Sequence, residues 1–195
     1  MCGIVGVLGS HEAAPILVDA LKRLEYRGYD SAGIATAHNG ALSRRRAVGK
    51  LAELSDVLVH DPLIGKAGIG HTRWATHGEP SVKNAHPHQK EQVAVVHNGI
   101  IENFRELREE LANHDLHPET DTDTETVAML THHMLTNGMT PVDAARETVA
   151  KLEGAFALCF LFQGEEDLLI VARKGSPLAI GYGDNEMFEI GRAHV

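Results

Sequence analysis

Cys2 is the residue from which a chemical reading of this chain starts. With the initiator Met removed, one residue carries both a thiol and the chain's free α-amino group. The amine has an ordinary pKa of about 8 and the thiol one of about 8.5, so a neutral amine is matched to take the thiol's proton without any imidazole. The plainer reading is a first strand holding a core cysteine, since free Cys is among the most buried residue types. Acyl transfer by a thiol further requires donors for the developing oxyanion and groups that hold the substrate still. Asn98-Gly99, after an apolar stretch, offers an amide side chain and an unhindered backbone N–H, although the pair alone also reads as a turn. Arg73, beside Trp74, suits a bidentate clamp on a carboxylate, and Asp123 suits an ammonium. Together they fit an amino acid. Taken singly, Arg73 reads as a surface ion pair and Asp123 as the N-cap of a helix starting at Thr124.

Two other chemistries compete. The chain has 13 His, with His71, His77, His86, His88 and His97 close in sequence and His132-His133 adjacent, but none has the spacing of a compact zinc motif such as H-E-x-x-H. No metal and no cofactor is expected. A Cys–His pair is the second competitor, for which Cys2 at the extreme terminus is an unusual place.

The elements that must position these groups follow from hydrophobic spacing. Ile4, Val5, Val7 and Leu8 read as a buried strand in which Gly3 and Gly6 let other backbone come close. Ile16, Leu17, Ala20, Leu21 and Leu24 share one helical face, giving a helix over about 11–25 with Pro15 near its start. A strand over 32–37 leads to Asn39-Gly40, the strongest short hairpin signal, and a return strand over 41–48. Leu51, Leu54, Val57 and Leu58 mark a short helix ending before Asp61-Pro62. A strand over 67–71 then gives way to an 18-residue loop, Thr72 to Gln89, of the kind that in a compact domain accompanies function or disorder. A strand over 92–97 ends at Asn98-Gly99. Helices are expected over 103–113, 124–137 and 141–152, with Gly138 and Gly154 as stops. Strands return over 156–162, 168–172, 178–182 and 187–190. This order of strands, helices and strands points to an α+β fold with antiparallel pairing.

At 195 residues the chain suits one domain that buries roughly 70% of its unfolded surface. Cys2 and Cys159 are too few for a disulfide framework, and Cys159 lies in the apolar run 155–162, so a reducing cytoplasm fits best. The net charge of −9 argues against a nucleic-acid surface. Arg44-Arg45-Arg46, the one basic run, reads as a solvated strand end. No apolar stretch is long enough for a membrane span, and the start lacks the basic residues of a secretion signal.

Read together, five motifs stand in a familiar order: Cys2-Gly3-Ile4-Val5-Gly6, Glu25-Tyr26-Arg27-Gly28-Tyr29-Asp30-Ser31-Ala32-Gly33, His71-Thr72-Arg73-Trp74-Ala75-Thr76-His77-Gly78, His97-Asn98-Gly99-Ile100-Ile101-Glu102-Asn103 and Thr122-Asp123-Thr124-Glu125. They resemble the class II glutamine amidotransferases, and among these the glutaminase domains of the glutamine–fructose-6-phosphate aminotransferase (glucosamine-6-phosphate synthase) family, from Cys2 to about Phe188. Other class II members share the Cys start and an Arg-Gly-x-Asp turn but not the Tyr-Arg-Gly-Tyr-Asp-Ser or Arg-Trp-Ala-Thr-His-Gly wording. The resemblance implies an N-terminal nucleophile hydrolase fold, two antiparallel sheets between helical layers. It implies Cys2 as nucleophile and base, Asn98 and Gly99 as oxyanion hole, Arg73 on the glutamine α-carboxylate and Asp123 on its α-ammonium. Trp74, Thr76 and His77 are implied in a loop closing over the substrate.

L-Glutamine is thus the expected small partner, hydrolysed to glutamate and ammonia, and neither nucleic acid nor membrane is expected. The rivals are the glutaminase domain of another class II amidotransferase and a regulatory module that binds an amino acid without turning it over. Residues 1–188 are expected to form the glutaminase domain. The family's sugar-isomerase half, with its fructose 6-phosphate site, is absent from the sequence, and the full-length enzyme is expected to be a homo-oligomer. The tail 189–195 departs from the family pattern, which suggests a truncation scar or a frame-shifted end and leaves the last strand in question.

Overall fold

The computed structural model describes residues 2–27, 30–74, 79–184 and 186–192, with backbone alone at Arg27 and Arg192. Six strands form one antiparallel sheet in the order β3 (Ala41–Val48), β2 (Ser31–His38), β4 (Ala67–Arg73), β1 (Gly3–Leu8), β10 (Glu186–Arg192) and β9 (Leu178–Gly183). A second has the order β5 (His88–Lys90), β6 (Val93–Ile101), β7 (Gly154–Phe162) and β8 (Leu169–Lys174). Helices α1 (Ala13–Lys22) and α2 (Leu51–His60) cover the first sheet; α3 (Phe104–Ala112), α4 (Asp123–Thr136) and α5 (Pro141–Lys151) cover the second.

The four layers follow from the two-residue period of the strands. Because successive side chains point to opposite faces, each central strand can serve two cores. In β1, Ile4 enters the core between the sheets while Val5 and Val7 join Leu17, Leu21 and Leu54 under the outer helices. Strand β7 divides likewise. Ala157, Cys159 and Leu161 face the first sheet, and Phe156, Leu158, Phe160 and Phe162 pack with Val127, Leu130 and Ala144 of the second helical layer. Cys159 is fully buried, as its apolar run indicated. At Gly3 and Gly6 it is side chains that come close, those of Leu24 and Cys159, and not other backbone.

The Asn39-Gly40 hairpin forms with φ of 48° and 73° at its two turn residues, the left-handed pair that matches strand twist. The structure departs from the sequence expectation at the long loop, at the end of β6 and at the basic run. Strand β4 extends through Arg73, and β5 begins at His88, so the loop expected over Thr72–Gln89 is shorter at both ends. Strand β6 does not stop at Asn98-Gly99 but pairs with β7 as far as Ile101 opposite Gly154. The basic run is no solvated strand end either: Arg44 Nη1 donates to Pro87 O, and Arg46 Nη1 donates to Ala85 O and Lys83 O. These two arginines hold the segment ahead of β5 across β2, where Gly33 makes the approach possible; a Cβ there would lie 2.2 Å from His86 O. The strand in question is β10, which pairs with β1 from Gly3↔Arg192 to Leu8↔Met187.

Candidate active site

Cys2 immediately precedes β1, and β1 runs beside β4, so the thiol lies next to the residue that follows β4. The Trp74 N–H donates to Cys2 Sγ at 3.2 Å, and the thiol is 3.6 Å from Trp74 O. Burial pushes the thiol's pKa up, and the Trp74 N–H opposes that only in part. At neutral pH the sulfur therefore holds its proton and needs a base to become a nucleophile. Among the described residues no imidazole hydrogen-bonds the sulfur.

The second sheet brings in the donors. Asn98 is 1% exposed, and its Nδ2 donates to the carbonyl of Cys2 at 3.2 Å and to that of Gly191 at 3.4 Å. Its neighbour Gly99 has φ of 126°, and a Cβ there would lie 2.1 Å from Ala155 O, so no other residue fits without moving β7. Asn98 and Gly99 sit in the ladder opposite Ala157 and Phe156. The simple-turn reading of the pair is thereby excluded.

Arg73, the last residue of β4, is 5% exposed, so the surface-pair reading does not describe it. Asp123 is the first residue of α4, with Thr122 at the N-cap position. Its Oδ2 accepts from Ile101 N at 2.8 Å, which ties the carboxylate to the end of β6. Burial alone would raise this carboxyl, but His97, 3.7 Å from Oδ1, and the N–H groups of Ile101 and Thr124 outweigh it and hold the pKa down to about 2. Asp123 is thus a fixed anion. Cys2, Arg73, Trp74, Gly99, Phe104 and Asp123 line one cleft of about 320 Å³. Trp74 stands at its mouth, 47% exposed. Thr76 and His77 lie outside the described residues.

His71, His86, His88 and His97 form a buried cluster behind the cleft. His71 Nε2 lies 3.0 Å from His97 O and 3.1 Å from Asn98 Oδ1, and its ring stacks on His86 at 4.1 Å. Thr124 Oγ1 bridges His86 Nε2 at 2.8 Å and His97 Nδ1 at 3.0 Å, while His88 Nε2 pairs with Thr122 Oγ1 at 2.9 Å. Desolvation lowers the pKa of His71 to about 3 and those of His86 and His88 in the same direction, so these rings are neutral. Their crowding was visible in the sequence, where it raised a metal only as a competing chemistry; among the described residues no group of three or more His, Cys, Asp or Glu is placed to hold an ion. The usable signal was alternation, because His71 and Arg73 share one face of β4.

Comparison with known proteins bears on the same residues. The family profile described as "Glutamine amidotransferase domain" matches residues 71–189. The glutamine–fructose-6-phosphate aminotransferase [isomerizing] of Brucella suis biovar 1 (strain 1330) is 62% identical over 188 residues, 96% of this chain and 31% of that protein. The protein of the same name from Bradyrhizobium diazoefficiens is also 62% identical, with the same coverage. The chain thus spans about a third of the length of these curated relatives. Among solved structures, the glutamine phosphoribosylpyrophosphate amidotransferase of B. subtilis, complexed with ADP and GMP, superposes with a TM-score of 0.84 at 28% identity, over 97% of this chain and 41% of that one.

Proposed function

Because the chain belongs to the glutamine amidotransferase domain family, with the class II fold that the two sheets display, we propose that it hydrolyses L-glutamine through a γ-glutamyl thioester on Cys2. The observation that carries the reading is the meeting of Cys2, from the first sheet, with the Asn98 amide and Gly99, from the second. Binding an amino acid without turnover has no use for donors aimed beside a thiol, so the regulatory-module rival loses its ground.

In this reading the Cys2 amine, freed by removal of Met1, takes the thiol proton. The sulfur attacks the side-chain amide carbon of glutamine, and the carbonyl oxygen gains the negative charge that Asn98 Nδ2–H and the Gly99 N–H stabilise. As the tetrahedral centre collapses the C–N bond breaks, and the protonated amine returns its proton to the leaving nitrogen, releasing ammonia. Water then attacks the thioester, giving up a proton to the same amine, and glutamate leaves with the thiol restored. Arg73 holds the α-carboxylate and Asp123 the α-ammonium, so the reacting carbon is fixed relative to sulfur. Trp74, Thr76 and His77 are proposed to bind the substrate with them.

Residues 1–188 form the glutaminase domain in this proposal. In a full-length protein resembling the Brucella and Bradyrhizobium relatives, the ammonia passes to a sugar-isomerase half and converts fructose 6-phosphate to glucosamine 6-phosphate. That enzyme is proposed to be a cytoplasmic homo-oligomer; among the described residues no helix is long and apolar enough to cross a membrane. The test is glutamate release from glutamine. Cys2→Ala is expected to abolish it, and release unaffected by that change would overturn the nucleophile assignment.

A further inference from the structure

An oxyanion hole built on an asparagine side chain works only if the amide presents its nitrogen. The carbonyl oxygen of the same group, turned through 180°, would repel the charge it is meant to stabilise. Asn98 is almost wholly buried, so both ends of its amide require partners from the protein. On one side lie two carbonyl oxygens, Cys2 O and Gly191 O, which can only accept. On the other lies His71 Nε2, at 3.1 Å from Oδ1 and 3.0 Å from His97 O. Facing two acceptors, that nitrogen must carry the ring proton, which leaves Nδ1 bare; Nδ1 is indeed buried without a hydrogen-bond partner.

We infer that His71 is a positioning residue for glutamine hydrolysis: by donating Nε2–H to Asn98 Oδ1 and to the His97 carbonyl, it locks the amide so that Nδ2 faces Cys2. The inference rests on the glutaminase reading and deepens it. His71 has the means to do this. It projects from β4, two residues before Arg73, and its ring is held by stacking on His86, whose own Nε2 is tied to Thr124. His86 in turn belongs to the segment that Arg44 and Arg46 pin across β2. One donor therefore couples the first sheet to the amide on the second, and its direction is set by neighbours that glutamine does not touch. The two carbonyl partners cannot replace it, because one belongs to the nucleophilic residue, whose surroundings change as the thioester forms.

The experiment is a double-mutant cycle on the Met-trimmed chain. His71→Leu is expected to lower kcat by about tenfold to hundredfold, a part of the roughly 10²–10³ that deleting an oxyanion donor costs, with KM little changed. Introduced into Asn98→Ala, the same substitution is expected to change kcat by less than about threefold, since the group it positions is gone. Alkylation of Cys2 by iodoacetamide, which develops no oxyanion, should proceed at the same rate with and without His71. His71→Gln, whose amide N–H reaches about as far as Nε2–H, should recover much of the rate and serves as the comparison if the leucine variant fails to fold. An equal fall in kcat in both backgrounds would assign His71 to structure alone and overturn the inference. Inactivity of the unmutated chain would count against the glutaminase reading instead, and the positioning role would then be decided by NMR of the Asn98 side-chain amide. Its two protons are expected as a sharp, slowly exchanging pair that broadens in His71→Leu; an unchanged pair refutes the role.

Discussion

Asp123 offers the sharpest quantitative test, because its two jobs can be separated by choice of substitution and of substrate. Its carboxylate accepts the Ile101 N–H at 2.8 Å and, in the proposed complex, binds the glutamine α-ammonium. Asp123→Ala removes both partners at once. Leaving the Ile101 N–H without an acceptor costs about 1–3 kcal/mol of stability, and leaving the ammonium unpaired in a closed site costs about 2–5 kcal/mol of transition-state binding. The second figure corresponds to about 30-fold to about 5,000-fold in kcat/KM. Asp123→Asn keeps a carbonyl oxygen for Ile101 but not the charge that His97 faces, so it should lose less stability than Asp123→Ala and still lose most of the kcat/KM. The assay is glutamate release from glutamine set beside hydrolysis of glutaramate, which is glutamine without its α-amino group. Glutaramate already forgoes the contact, so Asp123→Asn should lose little against it. An equal loss with both substrates would show that the carboxylate only secures β6 to α4, and the assignment to the ammonium would fall.

Three further outcomes are expected. Gly99→Ala must relieve a contact of 2.1 Å with Ala155 O at a φ of 126° that alanine avoids; a stability loss above about 4 kcal/mol is expected in urea unfolding, and a loss under about 1 kcal/mol would mean that β6 and β7 shift freely. Buried neutral His71, with its pKa near 3, and His86 and His88 beside it, take up protons on unfolding below the ordinary histidine pKa of about 6.5. Their stabilisation is complete above that pH and is lost as the pH falls, at up to about 1.4 kcal/mol per unit for each ring, so the urea midpoint should drop below about pH 6.5 and do so less steeply in His71→Gln; identical slopes would contradict the burial argument. Intact mass of active protein should show Met1 removed, and full activity with Met1 attached would rule out the Cys2 amine as base.

The sequence made most of the fold legible because the central strands alternate between two apolar faces and the helices carry one. What it concealed are features that need a neighbour from elsewhere in the chain. Asn98-Gly99 reads as a turn by local propensity, yet β7 supplies a ladder partner that carries β6 on to Ile101. Arg44 and Arg46 read as solvated because their acceptors, the carbonyls of Pro87 and Ala85, lie about forty residues away, a separation of 43 and 39. The histidines show no role in the sequence because a list of donors carries no directions; stacking and threonine hydroxyls engage them in the fold. By contrast Cys2, Arg73, Asn98, Gly99 and Asp123 were all singled out on residue chemistry, and the structure places each of them in or beside one cleft.

That convergence is a consequence of the double sandwich. Cys2 and Arg73 come from neighbouring strands of the first sheet, Asn98 and Gly99 from the second, and Asp123 from the helix that packs on the second and accepts from the end of β6. Neither sheet holds the proposed nucleophile together with its proposed oxyanion donors. The site is therefore assembled only when Ile4, Ile69, Val96 and Leu161 close the core between the sheets, and the contacts that cross that seam near the cleft, His71 to Asn98 and Asn98 to Cys2, are polar and directional where the core is neither. Apolar packing sets the distance between the sheets to within the tolerance of side-chain repacking, whereas hydrogen bonds across the seam set the register of donor against sulfur, which is the tolerance that catalysis requires.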